Sequence, residues 1–222
     1  MSLSVLQYLR WLFLLATLLL AGCGNTPPQP DWQMNAKSAL ERAQQAFLTG
    51  NNRVEVAEFA RARAEVASTG RADLMARIEL ARCATRVASL VFEPCAGFVP
   101  LAQDAAAPER VYADYLAGRV LASDAARLPE QHRAVAAAST PVPNLKSVAD
   151  PLARLVAAGV LLQTNRADPG VIAVAIDTAS AQGWRRPLLA WLGVQAQRAE
   201  AAGDADEVAR IRRRIALAGE GR

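Results

Sequence analysis

Apolar residues recur at helical spacing from residue 34 onward. In the first half of residues 34–70 one helix face carries the apolar residues Ala36, Ala39, Leu40, Ala43, Ala46 and Phe47. Gly50 then ends the helix, and Asn52 with Glu55 three residues later predicts a capping box for the next one. The buried face of this second helix is predicted to consist of Val56, Phe59, Ala60, Val66 and Ala67. The pattern indicates two antiparallel helices.

The C-terminal residues 186–219 repeat this arrangement. Pro187 suits a first helical turn, and the face that follows consists of Leu188, Trp191, Leu192, Gln195 and Ala199. Gly203 ends this helix, Asp204 caps the next, and Glu207 again stands three residues later. The last helix has apolar positions at Val208, Ile211, Ile215 and Ala218. A second antiparallel pair is therefore predicted.

The residues between these pairs also have helical character. Helices are predicted over residues 72–90, 108–117, 120–127, 129–139, 149–163 and 169–182. The β-branched run at residues 171–176 would also suit a strand, but Asp168 as a cap and Pro169 in the first turn favour a helix. Residues 139–147 contain two prolines and are predicted to separate two halves of the fold.

A nearly uncharged segment occupies residues 151–162, where Arg154 is the single charge. Its composition predicts a central helix that is buried on most sides. The alternative is that it forms the wall of a groove for a lipid or an apolar peptide.

The two helix pairs share their junction residues and a length of about 34–37 residues. In this they resemble tetratricopeptide-type repeats. The middle of the chain does not follow that period, and the usual tryptophan, tyrosine and proline positions are not all present. The expectation is an all-α array of antiparallel helical hairpins. Residues 34–140 and 141–222 would be its two halves within one continuous domain.

The N-terminus has the organisation of an export signal. Arg10 is followed by an apolar run over residues 11–20, which is too short to span a bilayer. The sequence Leu20-Ala21-Gly22-Cys23 resembles the lipobox of bacterial lipoproteins. The resemblance implies removal of residues 1–22 and lipidation of Cys23, which anchors the chain to a membrane. The alternative is an ordinary signal peptide with an incidental cysteine.

Residues 23–33 contain three prolines and are predicted to form a flexible tether. Gly24 follows the lipidated cysteine, where an aspartate would retain an enteric lipoprotein in the inner membrane. The lipoprotein resemblance therefore implies the outer membrane, with the domain facing the periplasm. The whole chain is also similar to uncharacterised Gram-negative envelope lipoproteins.

The other two cysteines, Cys83 and Cys95, are predicted to form a disulfide, because an even pair in an oxidising compartment is most simply a bridge. The bridge requires the helix that carries Cys83 to end near Leu90, so that the residues after it can bring Cys95 back beside Cys83. Two buried free thiols are the alternative.

The sequence shows few of the residue patterns that catalysis uses. His132 is the one histidine and is predicted to be a partly exposed surface residue. No serine-hydrolase, zinc-protease or phosphate-binding motif occurs, nor the Glu-Ser pair of helical peptidoglycan lyases. We therefore expect no catalytic residues, no metal and no cofactor. A cell-wall enzyme would require paired carboxylates that line a cleft.

The formal net charge of +4 is mild and gives no indication of nucleic-acid binding. Arginines that could contact an anionic partner, such as lipid phosphates or an acidic protein, are Arg185, Arg186, Arg210, Arg212, Arg213 and Arg214. The alternative for the cluster at residues 210–214 is a solvated helix face. Trp184 and Trp191 are predicted to pack in the core.

These features together predict a non-catalytic, membrane-anchored scaffold. Stacked hairpins form a concave surface that suits a peptide or a helix, so the expected partner is another envelope protein. The alternative function is a carrier or sensor of a lipid or other small apolar ligand, held between the central helices.

Overall fold

Ten α-helices make up most of the described part of the chain, which in this computed structural model comprises residues 30–220 and the single positions 7 and 11. They are α1 (Asp31–Thr49), α2 (Asn52–Ala67), α3 (Ala72–Ala88), α4 (Ala107–Leu116), α5 (Glu130–Ala137), α6 (Pro141–Ser147), α7 (Pro151–Gln163), α8 (Pro169–Ala181), α9 (Arg185–Ala201) and α10 (Ala205–Gly219). Two 3₁₀ segments, Val99–Leu101 and Ala122–Arg127, lie between them. No strand occurs among these residues, so the predicted all-α hairpin array is confirmed.

Aspartate caps fix the starts of three C-terminal helices. Asp150, Asp168 and Asp204 each accept a hydrogen bond from the backbone N–H three residues later, at 2.6, 2.8 and 3.0 Å. These bonds satisfy donors that have no partner within the first helical turn. Residues 171–176 accordingly lie in α8, and the choice of helix over strand is confirmed.

The two predicted glycine stops end α1 and α9. Gly50 has a φ of 94° and Gly203 a φ of 74°, a left-handed conformation that other residues rarely adopt. Each glycine lets the chain reverse into the following helix. The glycines that end α1 and α9 were therefore predicted correctly.

The capping box predicted for α2 is wrong by one residue at its cap. Asn51, not Asn52, accepts the hydrogen bond from Val54 N–H, at 3.2 Å. Glu55 does not reach back to the cap, because its buried carboxylate accepts from Arg82 Nε at 2.8 Å. The inner face of α2 follows Glu55, Phe59, Ala62 and Val66, and the predicted core residues Val56, Ala60 and Ala67 are exposed. Because Glu55 is charged, nothing in the sequence indicated that it belongs to the buried face, and the spacing of that face was misjudged.

Three other boundaries differ from the expected ones. The tether was expected to extend to residue 33, but α1 begins at Asp31. Residues 122–127 form a 3₁₀ segment rather than an α-helix. The predicted break at residues 139–147 contains α6, whose Pro141 and Leu145 are buried. A helix of seven residues that starts with proline resembles a loop in sequence.

Helix α7 lies at the centre of the larger core. Most of its side chains are buried, and it packs against both α3 and α8, as expected for the uncharged segment. Gly159 permits the close approach to α3, because a Cβ at this position would overlap the carbonyl oxygen of Val87. Trp184 and Trp191 belong to the same core, which confirms the core packing predicted for both tryptophans.

The first and the last hairpins contact each other. At the start of α9, Trp184 Nε1 donates to Gln45 Oε1 of α1 at 2.9 Å.

A smaller core cluster joins α1, α2 and α3 through Ala36, Ala43, Phe59, Val66 and Ile78. From Trp32 onward the chain forms one compact unit. Among the described helices, none combines the length and apolar character that crossing a bilayer requires.

Candidate functional site

The predicted lipidation residue Cys23 lies outside the described residues, as do residues 1–22 apart from positions 7 and 11. Cys83 of α3 and Cys95 of the following loop lie together with their sulfur atoms at disulfide-bonding distance and their Cα atoms 5.7 Å apart. Helix α3 ends at Ala88, so the chain returns in the way the prediction required. The predicted pair is therefore brought together.

The predicted arginine patch is distributed over two helices. Arg185 and Arg186 start α9, whereas Arg210, Arg212, Arg213 and Arg214 lie on α10. Arg210 pairs with Glu207 at 2.6 Å and Arg212 with Glu200 at 2.8 Å. Contact with an anionic partner stays a prediction for these residues.

Arg186 has a structural role within the chain. Its Nε donates to the carbonyl oxygen of Phe47 at 2.7 Å, and its Nη2 donates to Asn52 Oδ1 at 2.5 Å. Its guanidinium also lies 4.2 Å from the centre of the Phe47 ring. Arg186 therefore ties the start of α9 to the junction between α1 and α2.

An apolar groove, here called the Phe92 groove, opens beside Cys95. It has a volume of about 500 Å³ and lies between the loop after α3 and helix α4. Its apolar lining residues include Val87, Phe92, Phe98, Val99, Ala102 and Leu116. Charged residues at the same groove are Glu93, Arg110, Asp114 and Arg119. Phe92 is 40% exposed and Val99 is 66% exposed, so part of this apolar surface faces solvent.

The loop that forms one wall of the Phe92 groove is fixed at several points. Leu90 leaves α3 with a φ of 60°, and Val91 N–H donates to Arg86 carbonyl oxygen at 3.0 Å. Gly97 packs against the carboxylate of Glu79, which forms an ion pair with Arg63. Cys95 lies between these points, so the loop has contacts on both sides of Phe92.

A second cavity, here called the His132 cleft, has a volume of about 490 Å³. Its apolar surface comes from Leu80 and Ala84 of α3, from Leu128 just after the second 3₁₀ segment, and from Leu152, Ala153 and Val156 of α7. Its polar lining residues are Gln44, Arg77, Glu109, Tyr112, Arg127, Gln131, His132, Arg133 and Asp150. The first turns of α4, α5 and α7 all contribute residues to it.

His132 is buried, so the prediction of a partly exposed surface residue is wrong. It is 1% exposed and packs against the rings of Tyr112 and Tyr115, with centroid distances of 5.5 and 5.0 Å, while the two tyrosine rings lie 6.1 Å from each other. Burial lowers the pKa of His132 to about 4, so the imidazole is neutral at pH 7. Burial also raises the pKa of both tyrosines. His132 stands among polar residues in a short helix, so its sequence neighbours give no indication that it is buried.

Two arginines at the His132 cleft are held through one nitrogen each. Arg77 Nε contacts Glu109 Oε1 at 2.7 Å, and Arg133 Nε donates to Leu128 carbonyl oxygen at 2.7 Å. Among the described residues, the terminal Nη1 and Nη2 atoms of these two side chains have no hydrogen-bond partner. Sequence analysis missed both arginines, because they lie far apart along the chain and meet only through the fold.

The described residues form no cluster of three or more histidine, cysteine, aspartate or glutamate side chains that could hold a metal ion. Both cavities combine apolar walls with polar groups around them, as small-molecule and protein-binding sites do. Comparisons with protein-family models, curated proteins and solved structures find no match to this chain.

Proposed function

We propose that this protein is a lipid-anchored scaffold of the cell envelope that binds another protein at the Phe92 groove. The observation that carries the proposal is the exposed apolar surface of Phe92 and Val99 at the edge of a groove. Exposed apolar surface that borders a cavity and is surrounded by charge is typical of protein–protein interfaces. The contacts that hold the loop, with Cys83 and Cys95 at disulfide-bonding distance, support the same function, since a fixed wall costs little ordering entropy on binding.

The chemistry of the groove indicates the kind of contact that a partner makes there. Phe98 and Leu116 form an apolar floor for an inserted side chain. Beside it lie the exposed ion pair of Arg119 with Asp114, at 3.2 Å, and Arg110, whose Nη1 donates to Ala105 carbonyl oxygen. We propose that the partner inserts an apolar residue that is flanked by charged ones. Buried anchors of this kind carry most of the free energy of many interfaces.

Site-specific photocrosslinking in intact cells tests the proposal. A photoreactive phenylalanine analogue at position 99 should crosslink to one discrete envelope protein. The same analogue at Leu217 of α10 is the matched control, because Leu217 is 75% exposed, comparable with Val99. Equal crosslinking patterns from positions 99 and 217 would contradict binding at the groove.

The membrane anchor is a separate part of the proposal, since Cys23 would attach the domain to the outer membrane on its periplasmic side. Replacement of the nucleophilic sulfur in Cys23→Ser should abolish palmitate labelling and leave residues 1–22 attached. Labelling that persists in this variant would contradict lipidation at Cys23. The crosslinking result at position 99 does not depend on this outcome.

A second function is favoured by the His132 cleft, namely the binding of a small apolar molecule between α3 and α7. The volume of about 490 Å³ lies within the range of small-molecule sites, roughly 300–1,000 Å³. Mass spectrometry of the purified protein under native conditions, followed by denaturation, would detect a molecule that co-purifies.

A further inference from the structure

We infer that the His132 cleft binds a single-chain amphiphile with an anionic head group. This inference rests on the second function proposed above, small-molecule binding in this cleft, and adds the chemistry of the ligand. It concerns a site that is separate from the Phe92 groove.

The apolar part of the ligand is indicated by the inner walls of the cleft. Leu80 and Ala84 of α3 face the cleft together with Ala153 and Val156 of α7, and all four are buried. Small alanine side chains on both helices leave room in the cleft that these helices border. An acyl chain or a comparable apolar body fits such a lining, because it loses contact with water without requiring hydrogen bonds.

The charge of the head group is indicated by the arginines. Arg77, Arg127 and Arg133 line the cleft, against the two carboxylates of Glu109 and Asp150. Asp150 is engaged as the cap of α7, and Glu109 Oε1 pairs with Arg77 while its Oε2 has no hydrogen-bond partner among the described residues. Arg127 pairs with Asp124 at 3.2 Å, so Arg133 is the cleft arginine without a carboxylate partner among the described residues. The Nη1 and Nη2 atoms of Arg77 and Arg133 form the planar fork that carboxylate and phosphate groups bind through two parallel hydrogen bonds.

The helix starts at the cleft carry carboxylates of their own. The first turns of α4, α5 and α7 border the cleft, and a helix N-terminus carries a partial positive charge. Glu109 lies in the first turn of α4, Glu130 lies in that of α5, and Asp150 caps α7 by accepting from Ala153 N–H. These carboxylates offset the partial charge of the helix starts, so the arginines carry the preference for an anionic head group.

His132 supplies a polar group at the inner wall. Its side chain is almost wholly buried, and Nδ1 has no hydrogen-bond partner among the described residues. A buried nitrogen without a partner costs free energy, which a polar ligand atom can recover. The neutral imidazole can donate or accept, so it can bind a carboxylate, a phosphate or an ester oxygen near the head group.

Calorimetric titration with four probes of equal chain length tests the inference: decanoate, decyl phosphate, decanol and decyltrimethylammonium. We expect the two anions to bind about tenfold more tightly than decanol, because a charged hydrogen bond contributes about 1.4 kcal/mol or more. The cation should bind most weakly. Comparison of decanoate with decyl phosphate distinguishes a carboxylate ligand from a phosphate ligand.

Two variants locate the binding site. Arg133→Gln should weaken decanoate binding by about tenfold and leave decanol binding unchanged. Arg61→Gln is the matched control, because it removes the same charge from an exposed position on α2, outside the cleft. Ala81→Phe fills the cleft and should abolish binding of all four probes, and circular dichroism checks that this variant is folded. If it is not, the comparison of Arg133→Gln with Arg61→Gln still locates the site.

The outcomes separate this inference from the function on which it rests. Equal affinity for decanol and decanoate would overturn the anionic head group and leave binding of an apolar ligand intact. Absence of binding for all four probes would overturn both. An equal loss of decanoate affinity in Arg133→Gln and Arg61→Gln would overturn the assignment of the head group to this cleft.

Discussion

The imidazole of His132 lies 5.0 Å from the ring of Tyr115, centroid to centroid, in surroundings that hold the pKa of the histidine at about 4. An unfolded histidine has a pKa near 6.5. Between these values the unfolded chain binds a proton that the folded chain does not. The free energy of unfolding should therefore decrease as the pH falls from about 6.5 to 4, by about 3 kcal/mol in total. Urea denaturation at several pH values between about 4 and 7 measures this change in the free energy of unfolding.

The His132→Phe variant isolates this contribution. Phenylalanine preserves an aromatic ring against Tyr112 and Tyr115 but has no titrating nitrogen. The difference in unfolding free energy between the native protein and the variant should change with pH only between about 4 and 6.5. A difference that stays constant over this range would show that the imidazole does not resist protonation in the folded state.

A second prediction concerns the contact of Gly159 with α3. Gly159→Ala should lower the free energy of unfolding by about 1–3 kcal/mol, because the new methyl group would overlap Val87 and must displace one helix. Gly193→Ala on α9 is the control, since nothing lies within 4 Å of its added Cβ. That variant should be unchanged or more stable by up to about 1 kcal/mol, because alanine favours helix. Equal effects of the two substitutions in chemical denaturation would contradict the close approach.

A third prediction concerns Cys83 and Cys95. If they form a disulfide in the protein, reduction should lower the free energy of unfolding by about 3 kcal/mol, since the unfolded chain gains freedom when the loop opens. Denaturation with and without reductant measures the loss, and the double Cys→Ser variant should reproduce it without responding to reductant. Alkylation of both cysteines in unreduced protein would contradict the bridge.

A fourth prediction distinguishes two interpretations of Arg186. Arg186→Ala should destabilise the protein by about 2 kcal/mol, because it removes hydrogen bonds to Phe47 and Asn52 as well as a cation–π contact. Arg213→Ala removes an exposed arginine of the same predicted patch and should change stability little. Similar thermal unfolding temperatures of the two variants would show that Arg186 does not stabilise the fold.

The helices were predictable from the sequence where capping residues and apolar spacing agree. Asp168 with Pro169 placed the start of α8 correctly, and Gly50 and Gly203 placed the ends of α1 and α9. The face of α2 was not predictable in the same way. Its inward Glu55 is neutralised by Arg82, a residue of another helix, and periodicity of apolar residues cannot detect such a pair.

The two cavities were less predictable than the helices. The nearly uncharged residues of α7 indicated a central helix, and one alternative was a groove wall, which Leu152, Ala153 and Val156 form in the His132 cleft. The polar side of that cleft combines residues 77, 109, 132 and 133, which only tertiary packing brings together. For the same reason His132 was expected at the surface: its burial depends on Tyr112 and Tyr115, which belong to another helix.

The contacts between the first and last hairpins have a consequence for unfolding. In an open array of repeats each unit touches only its neighbours, so a terminal repeat can fray while the others stay folded. Here Gln45 of the first hairpin bonds to Trp184 at the start of the last one. Neither end can detach without exposing part of the other. Opening should therefore be cooperative, and amide protons of α1 and α9 should exchange with solvent at similar free energies.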